Sequence, residues 1–263
     1  MKAFLVLVGV SLIAGSAAAK NISITISQAT HVADGNLVVD LKVGNSGDEA
    51  ALSVTPTLRF GDKEVHGKGK PSLDPNTSFE ETLSLPVGTL GEGRWPYRLA
   101  VDYTDQNQYP FQALQTQTAV VGNPPPAKVA VPAIKSEDIA GTGTLAVTVK
   151  NLTPDPRTAR VEVLVPEGLE VTNGSRQVAL EPWKEAMLEV PVTNRTALVG
   201  SRYPVFVAAE YDDGPVHQAV VAQGIVSVVG TESFFTRNRQ LLWVVAAAIV
   251  IGWLTFMVFR ALR

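Results

Sequence analysis

Three histidines are the residues of this sequence best suited to metal binding or general acid–base chemistry. They are His31, His66 and His217. None belongs to a His-Glu-x-x-His segment, and a zinc site needs three or four suitably spaced ligands. The chain contains no cysteine, which excludes thiol catalysis, and no Gly-x-Ser-x-Gly segment to present a serine nucleophile. The sequence therefore predicts no enzyme, no metal site and no cofactor, and the histidines are interpreted as strand or surface residues.

Two acidic clusters offer oxygen ligands of the kind that Ca²⁺ prefers. The first comprises Asp102, Asp105 and Asn107, and the second comprises Glu210, Asp212 and Asp213. Calcium takes about 6–8 oxygen ligands, and each cluster supplies only about half that number. Asp and Asn are also common in the tight turns of hairpins. A hairpin is the favoured interpretation at both places, and calcium binding stays open.

Two segments are candidates for ligand contact. Lys63, Lys68 and Lys70, interleaved with glycines, form a basic loop that could meet an anionic polymer or a lipid headgroup. The alternative to ligand contact is a solvated hairpin without a ligand, because loops are usually polar and exposed. The aromatics Trp95, Tyr97, Tyr103, Tyr109 and Phe111 could form a sugar-stacking platform, whereas packing in the fold is the favoured interpretation of the set. Tyr109 and Phe111, which flank Pro110, are the pair expected to be exposed.

The two ends of the chain predict export and membrane anchoring. Residues 1–19 combine Lys2, a short apolar run and an Ala-rich end, which is typical of a signal peptide; an uncleaved anchor is the alternative. Residues 241–259 carry no charge and would span roughly 28 Å as a helix, close to the hydrocarbon thickness. A transmembrane helix is therefore predicted there, with a cytoplasmic tail at 260–263. Ala248 and Gly252 share one helix face and are a candidate helix–helix contact.

Between these ends the sequence predicts strands. Residues such as Val147 and Val149 alternate with polar ones, and clusters of Gly, Pro, Asn and Asp separate the alternating segments. The net charge of −3 gives no support for nucleic-acid binding. The predicted fold class is all-β.

The strand signals occur twice, at a spacing of about 105–108 residues, which is suitable for a duplicated sandwich domain. The clearest match sets Arg94-Trp95-Pro96 against Arg202-Tyr203-Pro204. The predicted segments are domain 1 at 20–122, a Pro-rich linker at 123–127, domain 2 at 128–230 and a juxtamembrane stalk at 231–240. Because consecutive prolines favour the stiff polyproline II conformation, the linker is expected to hold the domains apart as a rod.

Each copy resembles the Ig-like sandwich domains of the CARDB type and those associated with bacterial alpha-galactosidases. The resemblance rests on Val-x-Val-x-Asn at 147–151 and on the Leu-x-Pro turn at 180–182 that leads into the strand ending at Val192. The first copy is interpreted as departing from it by an insertion of Val43 and Gly44 before Asn45. The resemblance covers most of residues 21–230 and implies two tandem Ig-like β-sandwiches. It says little about function, because such modules serve adhesion, spacing and assembly.

The organisation predicts a non-enzymatic, single-pass cell-membrane protein whose ectodomain lies in the periplasm or outside the cell. The leading hypothesis is a scaffold or accessory subunit that binds other envelope or membrane proteins. A carbohydrate-binding or adhesive module is the alternative, and an enzyme is third.

Overall fold

The structure is a computed structural model that describes residues 21–230. Within these residues there are sixteen strands, and no helix long and apolar enough to cross a membrane. The all-β class is thus confirmed for the described part of the chain. The predicted signal peptide, stalk and transmembrane helix, with Ala248 and Gly252, lie outside the described residues.

The first eight strands form one sandwich. They are β1 (Ile24–Ala33), β2 (Asn36–Asn45), β3 (Ala51–Phe60), β4 (Lys63–His66), β5 (Lys70–Leu73), β6 (Thr77–Pro86), β7 (Gly93–Thr104) and β8 (Pro110–Val121). One sheet has the order β1-β2-β6; in the other β3 pairs with β4, β5 and β7, and β7 also pairs with β8. Alternate residues of β2, such as Leu37, Val39 and Leu41, are buried between the two sheets, as period-two alternation requires.

The last eight strands form a second sandwich of the same kind. They are β9 (Val129–Ser136), β10 (Thr142–Asn151), β11 (Arg157–Leu164), β12 (Leu169–Val171), β13 (Ser175–Leu180), β14 (Glu185–Asn194), β15 (Arg202–Asp213) and β16 (Val216–Ser227). One sheet has the order β12-β14-β10-β9, and the other has the order β13-β11-β15-β16. Its core is rich in valine, including Val147, Val149, Val190 and Val207.

A buried asparagine ends the same strand in each sandwich. Strands β2 and β10 are both ten residues long, and they end at Asn45 and Asn151. Each side-chain amide donates to the backbone carbonyl of a core leucine. Asn45 donates to Leu73 at 3.0 Å, and Asn151 donates to Leu180 at 3.2 Å. The expected insertion of Val43 and Gly44 is therefore wrong. Val43 is a core residue, and the first copy has its own apolar-x-apolar-x-Asn segment in register with the second.

The two sandwiches lie side by side and are not held apart as a rod. Strands β7 and β16 run parallel and meet where Gly93 pairs with His217. A Cβ on Gly93 would overlap the backbone of His217, so glycine permits this approach. Leu114, Leu164 and Phe206 form a third apolar cluster between the sandwiches. Burial of these outer sheet faces stabilises the contact between the domains. A stiff linker does not by itself prevent this contact.

The Pro-rich linker is fixed by an arginine and a buried glutamine. The Arg94 guanidinium donates to the carbonyl of Pro125 at 2.6 Å and to that of Pro124 at 3.3 Å. It also donates at 2.8 Å to Oε1 of Gln218, a residue with no exposed surface. The Gln218 amide donates at 3.1 Å to the same Pro125 carbonyl. Since Arg94 belongs to β7 and Gln218 to β16, these bonds join both sandwiches to the linker.

Candidate functional site

A cleft of about 520 Å³ lies between the two sandwiches. We call it the interdomain cleft. Its first-sandwich lining includes Arg59, Phe60, Trp95, Arg98 and Thr116, and its second-sandwich lining includes Arg160, Glu162 and Glu210. The cleft exists only because β7 and β8 are packed against β15 and β16, so both domains contribute to it.

Aromatic rings form one wall of the cleft and cross the domain boundary. The Trp95 indole stacks on the His217 imidazole, with ring centroids 4.0 Å apart and planes at 18°. The Phe60 ring is tilted by 44° against the Trp95 indole, with ring centroids 6.4 Å apart. His217 contacts Glu210 through Nε2 at 3.3 Å and Asp212 through Nδ1 at 2.9 Å. The hydrogen bond to Glu210 raises the pKa of His217, and the bond to Asp212 acts in the same direction.

Two residues that line the cleft have a buried polar atom without a partner among the described residues. Nε of Arg98 and the hydroxyl of Thr116 are both buried without a hydrogen bond. These two residues are opposite each other on β7 and β8. Burial lowers the pKa of Arg98, and the nearby positive charge of Arg59 lowers it further. Because a guanidinium binds carboxylates in a planar, bidentate geometry, the cleft is suited to a ligand that carries carboxylates or hydroxyls.

A second candidate surface is the open edge, which we define as the facing end strands β1 and β8 of the first sandwich. Among the described strands β1 pairs only with β2, and β8 pairs only with β7. Neither β1, with ten residues, nor β8, with twelve, contains Asp, Glu, Lys or Arg. Exposed edge strands usually carry charges or prolines that prevent pairing with another chain. The other outer strands follow this rule, with Glu80 and Glu81 in β6, and Pro132 and Lys135 in β9.

Each of the two end strands contains a glutamine whose acceptor lies inside the sandwich. Gln28 is paired with Leu41 and Gln115 with Leu99, and both leucines are core residues. Directly opposed antiparallel residues share a face, so the glutamine side chains are directed towards the interior of the sandwich. Oε1 of each glutamine is buried without a hydrogen-bond partner in the described part of the chain.

The sequence-predicted contact residues lie in two separate places. The Tyr109 hydroxyl donates to the carbonyl of Thr196 in the second sandwich, and Phe111 stacks on Tyr103 at 5.4 Å. Tyr109 and Phe111 were expected to be an exposed pair, but both are half-buried because they make these contacts. Burial raises the pKa of Tyr103 to about 12. As ligand contacts Tyr109 and Phe111 stay a prediction.

The lysines of the basic loop are all exposed. Nζ of Lys63 donates to the carbonyl of Pro86 at 3.0 Å, and the backbone N–H of Lys68 donates to the carboxylate of Glu81. Lys70 begins β5. Lys63 is paired with Phe60 and follows Asp62, and both of these residues line the interdomain cleft. Ligand binding by the basic loop also stays a prediction.

Both acidic clusters lie at hairpins. Asp105 Oδ1 accepts the N–H groups of Asn107 at 2.8 Å and Tyr109 at 2.9 Å, which closes the β7–β8 turn. In the β15–β16 hairpin, Asp213 contacts Lys128 at 2.6 Å and Arg157 at 3.1 Å. These carboxylates thus have structural partners.

Sequence reasoning missed Trp183 as a surface feature. It is 60% exposed and has φ of +60°, a conformation that is unusual for a bulky side chain. The matching turn of the first sandwich has Asn76 with φ of +58°, and asparagine tolerates this region. Aligning the two Leu-x-Pro turns would have revealed the tryptophan where the copy has an asparagine.

No protein-family model and no curated protein matches the sequence. Solved structures show remote similarity. A red sea bream transglutaminase is 13% identical with a TM-score of 0.28, and the match covers 81% of this chain and 31% of that one. Escherichia coli alpha-2-macroglobulin activated by porcine elastase is 14% identical with a TM-score of 0.31, covering 82% and 23%. The YadV chaperone is 13% identical with a TM-score of 0.30, covering 76% and 99%. The chain thus spans less than a third of the first two proteins.

Proposed function

We propose that this protein is a non-enzymatic, membrane-anchored accessory subunit that binds another envelope protein by accepting one of its strands at the open edge. The observation that carries the proposal is the absence of charge and proline along β1, beside the equally uncharged β8. The predicted signal peptide and C-terminal span supply the location, outside the cytoplasm and at the membrane.

Strand addition suits this edge for two physical reasons. An added strand gains main-chain hydrogen bonds along β1, and side-chain pockets then select its sequence. One such pocket, a groove of about 400 Å³, begins beside Ile24 and Ile26 and is lined by Tyr103, Phe111 and Phe206. The partner segment is therefore expected to be extended, uncharged at its centre and apolar at alternate positions.

The test is co-purification of the full-length protein from its native membrane in mild detergent, followed by mass spectrometry. The test variant is Ser27→Lys with Ala29→Lys, which adds two charges at exposed positions of β1. The matched control is Ser78→Lys with Ser84→Lys, which adds the same charge at exposed positions of β6 at the opposite end of the sheet.

We expect a stoichiometric partner to accompany the native chain and the β6 control, and to be lost by at least tenfold from the β1 variant. Long charged side chains on an edge oppose strand addition, whereas the fold tolerates them because both pairs are exposed. Equal recovery of the partner with the two variants would contradict strand addition at β1.

A carbohydrate-binding module is the second candidate, and the interdomain cleft favours it. Trp95 offers an apolar ring beside the Arg98 guanidinium and the Thr116 hydroxyl, and stacking combined with polar contacts is a common way to hold a sugar. In the same purification, glycan without protein would support this candidate. Arg98→Gln should then reduce the glycan recovered, while the β1 variant should not.

A further inference from the structure

The loop at residues 195–201 presents two neighbouring apolar side chains to solvent. Leu198 is 39% exposed and Val199 is 64% exposed. They are the one consecutive pair among the large apolar residues that the described chain exposes to this extent. The loop connects β14 to β15 at one end of the second sandwich.

Backbone N–H groups of this loop already have partners inside the protein. Those of residues 195, 196 and 197 donate to the carbonyl of Gly168, and that of residue 200 donates to Val228 at 2.7 Å. The Leu198 N–H donates to the Tyr203 hydroxyl at 2.9 Å. An unsatisfied amide is costly in a water-poor environment. The Val199 N–H is the exception in this loop and has no hydrogen bond among the described residues. The loop can therefore approach hydrocarbon at the cost of about one unpaired amide, while its apolar side chains gain by burial.

The loop lies next to the point where the chain leaves the second sandwich. A Cβ built on Gly230, the last described residue, would be 3.3 Å from a methyl carbon of Val199. The sequence after Gly230 contains Phe234 and Phe235 and then the predicted transmembrane segment at 241–259. The exposed pair is thus at the end of the domain from which the predicted membrane anchor extends.

The first sandwich also contacts the loop at residues 195–201. Tyr109, near the turn of the β7–β8 hairpin, donates its hydroxyl to the carbonyl of Thr196. The loop is therefore braced from both domains, which limits the side-chain and backbone ordering needed when it meets a surface.

We propose that Leu198 and Val199 insert into the outer face of the bilayer and that the ectodomain rests on the membrane through this loop. The occupant of the apolar surface is lipid, at the boundary between headgroups and acyl chains. The ten residues of the stalk could extend to roughly 33 Å, so an anchor alone would not impose this contact. The inference rests on the membrane anchor of the proposed function.

The absence of cysteine in the whole chain permits a clean labelling test. Val199→Cys is labelled with an environment-sensitive fluorophore in the full-length protein, reconstituted in phosphatidylcholine vesicles. The control is Met187→Cys on β14, a similarly apolar side chain that is 70% exposed. Two quenchers are used, iodide in the aqueous phase and a spin-labelled acyl chain in the bilayer. An alkaline carbonate wash of the same vesicles reports retention of the chain.

We expect the Val199 label to be several-fold less quenched by iodide than the Met187 label, and strongly quenched by the spin-labelled lipid. Equal iodide quenching of the two labels on carbonate-resistant protein would overturn the loop contact and leave the anchor intact. Protection from iodide without lipid quenching would also overturn it, because the stalk would then cover the loop. Loss of the chain in the carbonate wash would refute the anchor itself and the inference with it.

Discussion

Replacing Arg94 with methionine should loosen the joint between the two sandwiches. The change removes hydrogen bonds to Pro124, Pro125 and Gln218. It leaves Oε1 of the fully buried Gln218 without a donor. An orphaned buried acceptor costs about 1–3 kcal/mol, and a hydrogen bond from a charged group contributes about 1.5–3 kcal/mol. Because these contributions overlap, we expect a loss of about 3 kcal/mol.

The duplication supplies the control for this measurement. Arg202 is the counterpart of Arg94 in the second copy, but it is exposed, so Arg202→Met should cost less than about 0.5 kcal/mol. Both variants are unfolded with urea and with heat as full-length protein in detergent, followed by tryptophan fluorescence. At about 2–4 °C per kcal/mol for a chain of this size, Arg94→Met should lower the midpoint by roughly 6–12 °C.

The shape of the transition gives a second readout. If the linker bonds couple the sandwiches, the native chain unfolds in one transition and Arg94→Met separates it into two. The reasoning is refuted if Arg94→Met matches Arg202→Met in both midpoint and cooperativity. In that case the apolar contact between the domains would suffice to hold them together.

Two further outcomes follow from strain and from charge. Trp183→Asn should stabilise the protein by about 1 kcal/mol, because the backbone there adopts the conformation that Asn76 occupies in the first copy; an unchanged or lower midpoint in urea would contradict this. The pKa of His217 is raised in the folded state by its hydrogen bond to Glu210. Its contribution to stability is therefore fully present below its unfolded pKa, and it is lost as pH rises through the folded value. Stability should fall from pH 6 to pH 8.5 in the native chain and not in His217→Gln, and Trp95 fluorescence should follow the same titration.

Strand alternation made the fold class predictable, because alternate burial leaves a direct trace in residue order. The packing between the sandwiches is indicated less clearly by the sequence. In β15 the segment 205–209 is apolar at every position, and all five residues are buried. Continuous apolar runs indicate a strand covered on both faces, so this segment signalled a neighbour outside its own sandwich. Linker stiffness by itself predicts a rod, whereas this apolar run predicts the packing between sandwiches that the structure has.

The interdomain cleft could not be predicted from spacing. Arg98 and Glu162 look like ordinary solvent-facing strand residues, since each alternates with core positions. They share a cleft only because β7 and β16 align in parallel, and a contact made through one backbone pair has no sequence pattern of its own. The repeated Asn45 and Asn151, in contrast, are visible in the sequence, but matching Leu37 with Leu145 offsets the two asparagines by two residues.

The side-by-side packing of the sandwiches limits the length of the described part of the molecule. Strands β7 and β16 each have twelve residues and run in the same direction, so together they extend about 40 Å at roughly 3.3 Å per residue. Two sandwiches placed end to end would extend about twice as far. The second sandwich therefore makes the described part of the molecule wider without making it longer along the strands. With the proposed membrane anchor, this geometry is suited to partners that lie close to the bilayer.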